Sequence, residues 1–235
     1  MNKQTDLNSV KSVVKTFLYF DIEETELPPM LAVYHPIFEN GNYFIPSKDN
    51  GFTVLDLMKD SDLQIAREYI EKRIDKLVDV FSVYLTVRKS YRMTFLKFAK
   101  PYLSKKDFSK LLADAWTSME HPNADVNVPI KTSISWFKQA DKKSLMNEDD
   151  YKFYQSLPQI VTVYRGVRKR GKPDGISWTL NRDTALWFST RFGRRTEEST
   201  VWVAEVDKSC ILAYFNDRNE NEVIVDTSKI ERRIL

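Results

Sequence analysis

Sulfur and imidazole are scarce in this chain. Among 235 residues there is one cysteine, Cys210, and there are two histidines, His35 and His121. One thiol cannot close an intrachain disulfide, and neither a cysteine cluster nor a histidine-rich centre can be assembled, so no metal site is expected. A reducing cytoplasm is the expected location. No stretch approaches the ~18 uncharged apolar residues of a membrane span, so no membrane association is expected. Met1 to Leu7 carries no apolar run behind Lys3, and a secretory leader is not expected either. No internal repeat, low-complexity tract or clean linker interrupts the chain.

A large charge of one sign is also missing. The formal net charge is +3. Residues 156–235 hold 14 Lys and Arg against 11 Asp and Glu, while the first 155 residues balance. The excess therefore sits in the last third, where it suits an anionic cofactor or acceptor, though a bias this small is mainly a matter of solubility.

What the chain does have is apolar bulk: 42% hydrophobic residues, 13% of all residues aromatic. That supports a soluble globular protein with a sizeable core. The length suits one large domain, or a catalytic domain with a helical one.

The first 155 residues read mostly in helical periodicity. Val10, Val13, Val14, Phe17 and Leu18 mark a short amphipathic helix. Residues 31–53 read as irregular, with one short strand pair. Residues 61–86 give the clearest helix, with Leu63, Ala66, Ile70, Ile74, Leu77, Phe81 and Tyr84 on one face. Further helices are expected over Lys89 to Tyr102, after the capping-box-like Ser104 to Asp107, around Ile134 to Phe137, and from Glu148 to Leu157. From Ile160 the idiom changes to short strands, up to six of them, with one helix starting at Asn181, burying Ala185, Leu186, Phe188 and Phe192, and ending at Gly193. The fold class expected is α+β. A mostly helical region, 1–155, precedes a strand-rich core, 156–235, as separate domains or as two layers of one fold.

Three short pieces of that core carry chemistry. A strand from Val161 delivers Tyr164, Arg165 and Gly166 at its end. A second strand holds Ser177 and Thr179 on one face, with Trp178 between. A turn then leads Glu220 and Glu222 into a third strand. Each piece alone is weak; the ordered set within about seventy residues is stronger, because strands of one sheet can bring all three to one cleft.

In this order the residues resemble the arginine, Ser-Thr-Ser and Glu-x-Glu elements of the ADP-ribosyltransferase superfamily, in its compact bacterial or phage form. Thr179 stands where that motif often has serine, which keeps the hydroxyl. The resemblance covers roughly the last third of the chain. It implies a split β-sandwich with one inserted helix, and cleavage of NAD with transfer of ADP-ribose to an acceptor. By that resemblance Arg165 holds an NAD phosphate or ribose, and the main chain at Gly166 binds the nicotinamide carboxamide. Ser177 orients the catalytic glutamate and the ribose, and Thr179 supports the strand. Phe188 or Trp187 stacks on nicotinamide, and Arg191, Arg194 or Arg195 meets the pyrophosphate. Glu222 is the acid that stabilises positive charge developing on the ribose, as carboxylates do in glycoside hydrolysis. Glu220 contacts the acceptor and assists its deprotonation.

Each residue has a plainer reading. Arg165 could pair with Asp174 or a glutamate. The aromatics of residues 187–188 could be core, a reading the apolar helix pattern favours. The basic run of residues 168–172 could be a solvated loop, and Glu220 and Glu222 two surface glutamates in a hydrophilic turn. Three functions follow. The first is a mono-ADP-ribosyltransferase acting on a macromolecular acceptor, a protein side chain such as arginine or a nucleic acid base, as in toxins, defence systems and phage effectors, with an antitoxin-like partner. The second is an NAD glycohydrolase. The third is a non-catalytic binding module on the same fold.

Overall fold

The computed structural model describes residues 3–120, 122–168, 174–191, 199–231 and 233–234. They are mixed helix and sheet, which agrees with the α+β class, and they fall into two compact units. The first holds Met1–Leu111 and Ser118–Glu120, the second Leu112–Thr117 and His121–Leu235.

In the first unit α1 (Leu7–Leu18) begins at Asp6, whose carboxylate accepts from the Ser9 N–H at 3.1 Å. It buries Val10, Val14, Phe17 and Leu18, one stripe of the helix. Phe17 meets the rings of Phe95 and Phe98 edge-on. Two antiparallel pairs follow where one was expected: β1 (Glu23–Glu24) with β2 (Val33–Tyr34), and β3 (Asn42–Pro46) with β4 (Phe52–Asp56). The long helix expected over 61–86 is two, α2 (Asp60–Lys76) and α3 (Val80–Leu85). Leu77 is extended, and the Asp79 carboxylate accepts from the Ser82 N–H at 2.9 Å, which starts a new helix in a new phase. Phe81, expected in the core, is exposed as a result. Next come α4 (Arg92–Ala99) and α5 (Lys105–Ser118), the latter capped by Ser104, whose Oγ accepts from the Asp107 N–H at 3.0 Å. His121, expected to stop that helix, lies outside the described residues.

His35 is buried in this unit. Its Nδ1 accepts from the backbone N–H groups of Ile37 and Phe38, both at 3.0 Å. Burial, with the cations Arg67 and Arg88 pushing the same way, lowers its pKa from 6.5 to about 4. The unfolded imidazole takes up a proton below its ordinary value and the folded one does not, so stability is lost as pH falls from 6.5 towards 4. At full extent the loss is about 3 kcal/mol. Asparagine can accept the same two N–H bonds without titrating. His35→Asn should therefore flatten the acid dependence of the urea midpoint across that window. An unchanged slope would place the titration elsewhere.

The second unit contains Leu112 to Thr117 of α5, then α6 (Ile130–Gln139), α7 (Lys142–Leu145), α8 (Glu148–Ser156), β5 (Ile160–Arg168), β6 (Ser177–Thr179), α9 (Arg182–Thr190), β7 (Ser199–Asp207), β8 (Ile211–Phe215), β9 (Glu222–Val225) and β10 (Arg233–Ile234). The six strands form one antiparallel sheet in the order β10-β7-β5-β6-β9-β8. β5 pairs with β7 from Ile160 to Arg168, but with β6 through one pair only, Tyr164 with Thr179. The compact units do not divide near residue 155, where the boundary was expected. β8 and β9 are buried along their whole length and need cover on both faces, which the preceding helices help to supply. Phe137 of α6 meets Phe215, the Tyr154 hydroxyl donates to the Ile211 carbonyl at 3.2 Å, and Lys138 pairs with Asp226 at 2.5 Å.

α9 starts at Asn181 as expected, its side chain accepting from the N–H groups of Asp183 and Thr184. It buries Ala185 and Ser189, whereas Leu186, expected in the core, is exposed and Phe188 is half-buried. The reason is Gly166. A Cβ there would lie 1.9 Å from the Ala185 carbonyl oxygen and 2.7 Å from the Ser189 nitrogen. The helix rests on bare β5 backbone, so its smallest side chains face inward. The expected end of this helix, Phe192 and Gly193, lies outside the described residues. Among the described residues no helix is long and apolar enough to cross a membrane.

Candidate active site

The centre is Glu222, the first residue of β9 and a carboxylate in an otherwise apolar buried strand. It is 6% exposed, which removes the surface-glutamate reading. A buried acid needs partners, and Oε1 has two: the Ser177 hydroxyl donates to it at 2.5 Å and the Trp116 indole N–H at 3.0 Å. Burial pushes the Glu222 carboxyl above its ordinary value of 4.5, against the opposing pull of those two hydrogen bonds and of the Arg218 charge.

Ser177 joins this acid to Arg165. The Arg165 guanidinium donates to the Ser177 carbonyl oxygen, while the hydroxyl of the same residue faces Glu222. Pairing across the sheet aligns Tyr164, Thr179 and Glu222, so strict alternation would send Arg165 to the opposite face. The side chain is long enough to return to the strand edge, and Gly175 leaves it room: a Cβ there would fall 2.1 Å from a guanidinium nitrogen. The loop before β6 is itself held, with the Ile176 N–H donating to the Asn123 side chain at 2.8 Å and the Trp178 indole N–H to the Gly175 carbonyl at 3.1 Å.

Thr179 is buried and accepts from the Asn181 N–H at 3.0 Å while donating to the Glu220 carbonyl at 2.7 Å. It fastens the start of α9 to the turn that carries the acids. Glu220 is mostly buried and pairs with Arg218 at 2.8 Å; the same Arg218 nitrogen lies 3.6 Å from Glu222. Asn219 and Asn221 have positive φ, 55° and 46°, a conformation asparagine tolerates better than most residues. They fold the turn so that Arg218, Glu220 and Glu222 face one another.

Other expected residues sit elsewhere. Gly166 is taken up by the close approach of α9. Trp187 and Phe188 are not core aromatics of the unit: Trp187 is 52% exposed, the two rings meet edge-on at 5.0 Å, and Arg191 lies over both. Arg194, Arg195 and residues 169–173 lie outside the described residues. An open cleft of about 520 Å³ is lined by Tyr164, Asn181, Arg182, Asn221 and Phe153 among others. It is lined by neighbours of Arg165 and Glu222 and by neither of those two. Among the described residues no cluster of His, Cys, Asp or Glu is arranged to hold a metal ion.

The sequence reading missed Trp116 and Arg218. Nothing local marks Trp116, which lies 106 residues from the acid it bonds. Arg218 did carry a signal, the period-two alternation Arg218, Glu220, Glu222. Compared with known proteins, the chain matches no family model, no curated protein and no solved structure.

The arrangement offers a desolvated carboxylate held rigid through one oxygen, its Oε2 turned towards Arg218, a second acid two residues away, and a guanidinium fixed at the edge of the same serine. That set can stabilise a developing cation, take up a proton and bind an anion.

Proposed function

We propose that this chain is an ADP-ribosyltransferase, which moves ADP-ribose from NAD to a macromolecular acceptor and releases nicotinamide. One observation carries the reading: a single serine donates its hydroxyl to a buried glutamate and accepts an arginine on its carbonyl, joining the three expected residues. The fold proposal is the corresponding split sandwich. Its support is the one-pair joint, which divides the sheet into halves β10-β7-β5 and β6-β9-β8.

The residues present fit NAD. Arg165 brings a guanidinium, packed against the Gly175 backbone and held to the Ser177 carbonyl, of the kind that binds phosphate or ribose oxygens. Bound NAD supplies a glycosidic bond to a good leaving group. Glu222, fixed through Oε1, offers Oε2 to the ribose, where its charge stabilises the carbon losing nicotinamide. Glu220 stands ready to take a proton from the acceptor. A cytoplasmic effector, with a toxin, defence or phage role, belongs to the same proposal.

Incubation of the full chain with labelled NAD and cell extract tests it. The expected result is nicotinamide release with label on a macromolecule, and protease and nuclease digestion then assigns the acceptor class. Free ADP-ribose alone would make the chain a glycohydrolase. No nicotinamide release would sink both.

A further inference from the structure

An indole N–H can donate a hydrogen bond and cannot accept one, whereas a serine hydroxyl does either. Glu222 Oε1 takes one bond of each kind, from Trp116 at 3.0 Å and from Ser177 at 2.5 Å. Ser177 can therefore stay bonded whether that oxygen is bare or carries a proton. Trp116 stays bonded only while Oε1 is bare. The indole is 1% exposed and meets the Phe137 ring edge-on at 5.2 Å, so packing fixes it in place. The same turn of α5 makes a second contact with the turn that carries the acids, where the Thr117 carbonyl accepts from Arg218 at 2.9 Å. Any proton on Glu222, and any positive centre that approaches it, is thereby left to Oε2.

From this geometry we infer that Trp116 is a positioning residue of the proposed reaction: by occupying Oε1, its N–H presents Oε2 alone to the ribose of NAD. The inference rests on the reading given under Proposed function. Being buried, Trp116 acts through the carboxylate. Its bond also favours the carboxylate over the neutral acid, because a donor holds an ion more strongly than a neutral group. In this it works against burial and alongside the charge of Arg218, while the charge of Glu220 pushes the other way. Around the same acid, Ser177 of β6 is a neutral donor whose carbonyl takes Arg165 from β5, and Phe215, the cross-strand neighbour on β8, is apolar. Loss of the indole N–H should leave less of Glu222 ionised at a given pH and leave the ionised fraction freer to turn.

Trp116→Phe keeps an apolar ring beside Phe137 and removes the donor. The test measures nicotinamide release from NAD by the purified full chain, in a fixed cell extract, across pH. At neutral pH kcat should fall about 10–100-fold, the size of effect that a misplaced reacting group has, while KM for NAD changes little. The acid limb of the kcat profile should move to higher pH, because the acid gives up its proton less readily without the indole. A purely structural role would lower the melting temperature and leave the limb where it is. That result, or an unchanged kcat in the folded variant, would overturn the inference and leave the transferase reading standing. Should the variant not fold, the unsubstituted protein labelled with nitrogen-15 decides. One of its five tryptophan indole N–H signals should shift with pH, its midpoint on the acid limb, and should stand still in Glu222→Gln. Five indole signals that all ignore the limb would overturn the inference as well. Absence of any nicotinamide release by the unsubstituted chain would overturn both readings.

Discussion

Glu222→Gln should lower the rate of nicotinamide release by about 10³–10⁴-fold, which is about 4–5.5 kcal/mol of transition-state stabilisation. The substitution keeps the shape of the side chain and an oxygen to accept from Ser177 and Trp116, so the fold should survive it. What disappears is the negative charge, in a place where burial makes that charge strong. A second consequence has the opposite sign. The folded carboxyl holds its proton more tightly than the unfolded one, whose value is near 4.5, because burial penalises the ion. Its contribution to stability is thus full below that pH and is lost as pH rises through the raised folded value. The glutamine variant escapes this loss. It should melt at or above the wild-type temperature at neutral pH, with the gap closing in acid. Loss of nicotinamide release together with a gain in stability is the signature expected of a buried functional acid. A variant with near wild-type rate would remove Glu222 from the chemistry. A variant destabilised at every pH would make it a structural group.

Gly166→Ala should be the most damaging single methyl in the second unit. The added carbon would meet the Ala185 carbonyl oxygen at 1.9 Å and the Ser189 nitrogen at 2.7 Å. Both are helix backbone, which cannot swing aside as a side chain can. Overpacking of this kind costs roughly 1–3 kcal/mol, occasionally more, and the upper end is expected because all of α9 must lift from β5. For a chain of this size about 3 kcal/mol lowers the melting temperature by about 6–12 °C. The lifted helix also carries Asn181, which is tied through Thr179 to the Glu220 carbonyl. Activity should therefore fall along with stability. A variant as stable as wild type would mean that α9 does not rest on β5 as described.

The two substitutions also show which parts of the molecule could be read from the sequence. Glu222 and Ser177 were legible because each sits on a short strand, where the side-chain period of two leaves few ways to point; Arg165 lies inside the nine-residue β5, and the same period alone would have sent it to the other face. The helix at Asn181 was legible from its cap. Its buried face was not: pattern reading assigns large apolar residues such as Leu186 to the core, and only the bare backbone at Gly166 reverses that choice. The break after Lys76 had a cue, Asp79 three residues before Ser82, but the apolar stripe running from Ala66 to Tyr84 overrode it. The compact units divide elsewhere than near residue 155 for a different reason. The change from helical to strand idiom is a local property, while the units are set by which helices shelter β8 and β9, and no stretch of sequence states that. Trp116 is the extreme case, since its importance lies wholly in a partner far along the chain.

That indole has a practical corollary. Anyone excising the strand-rich tail by its sequence texture would sever the acid from the ring that steadies it. The shortened protein would keep every recognisable motif letter and yet carry a carboxylate stripped of one of its two anchors. The ancestry of such a site would have to be traced through the upstream helix as well as through the motifs.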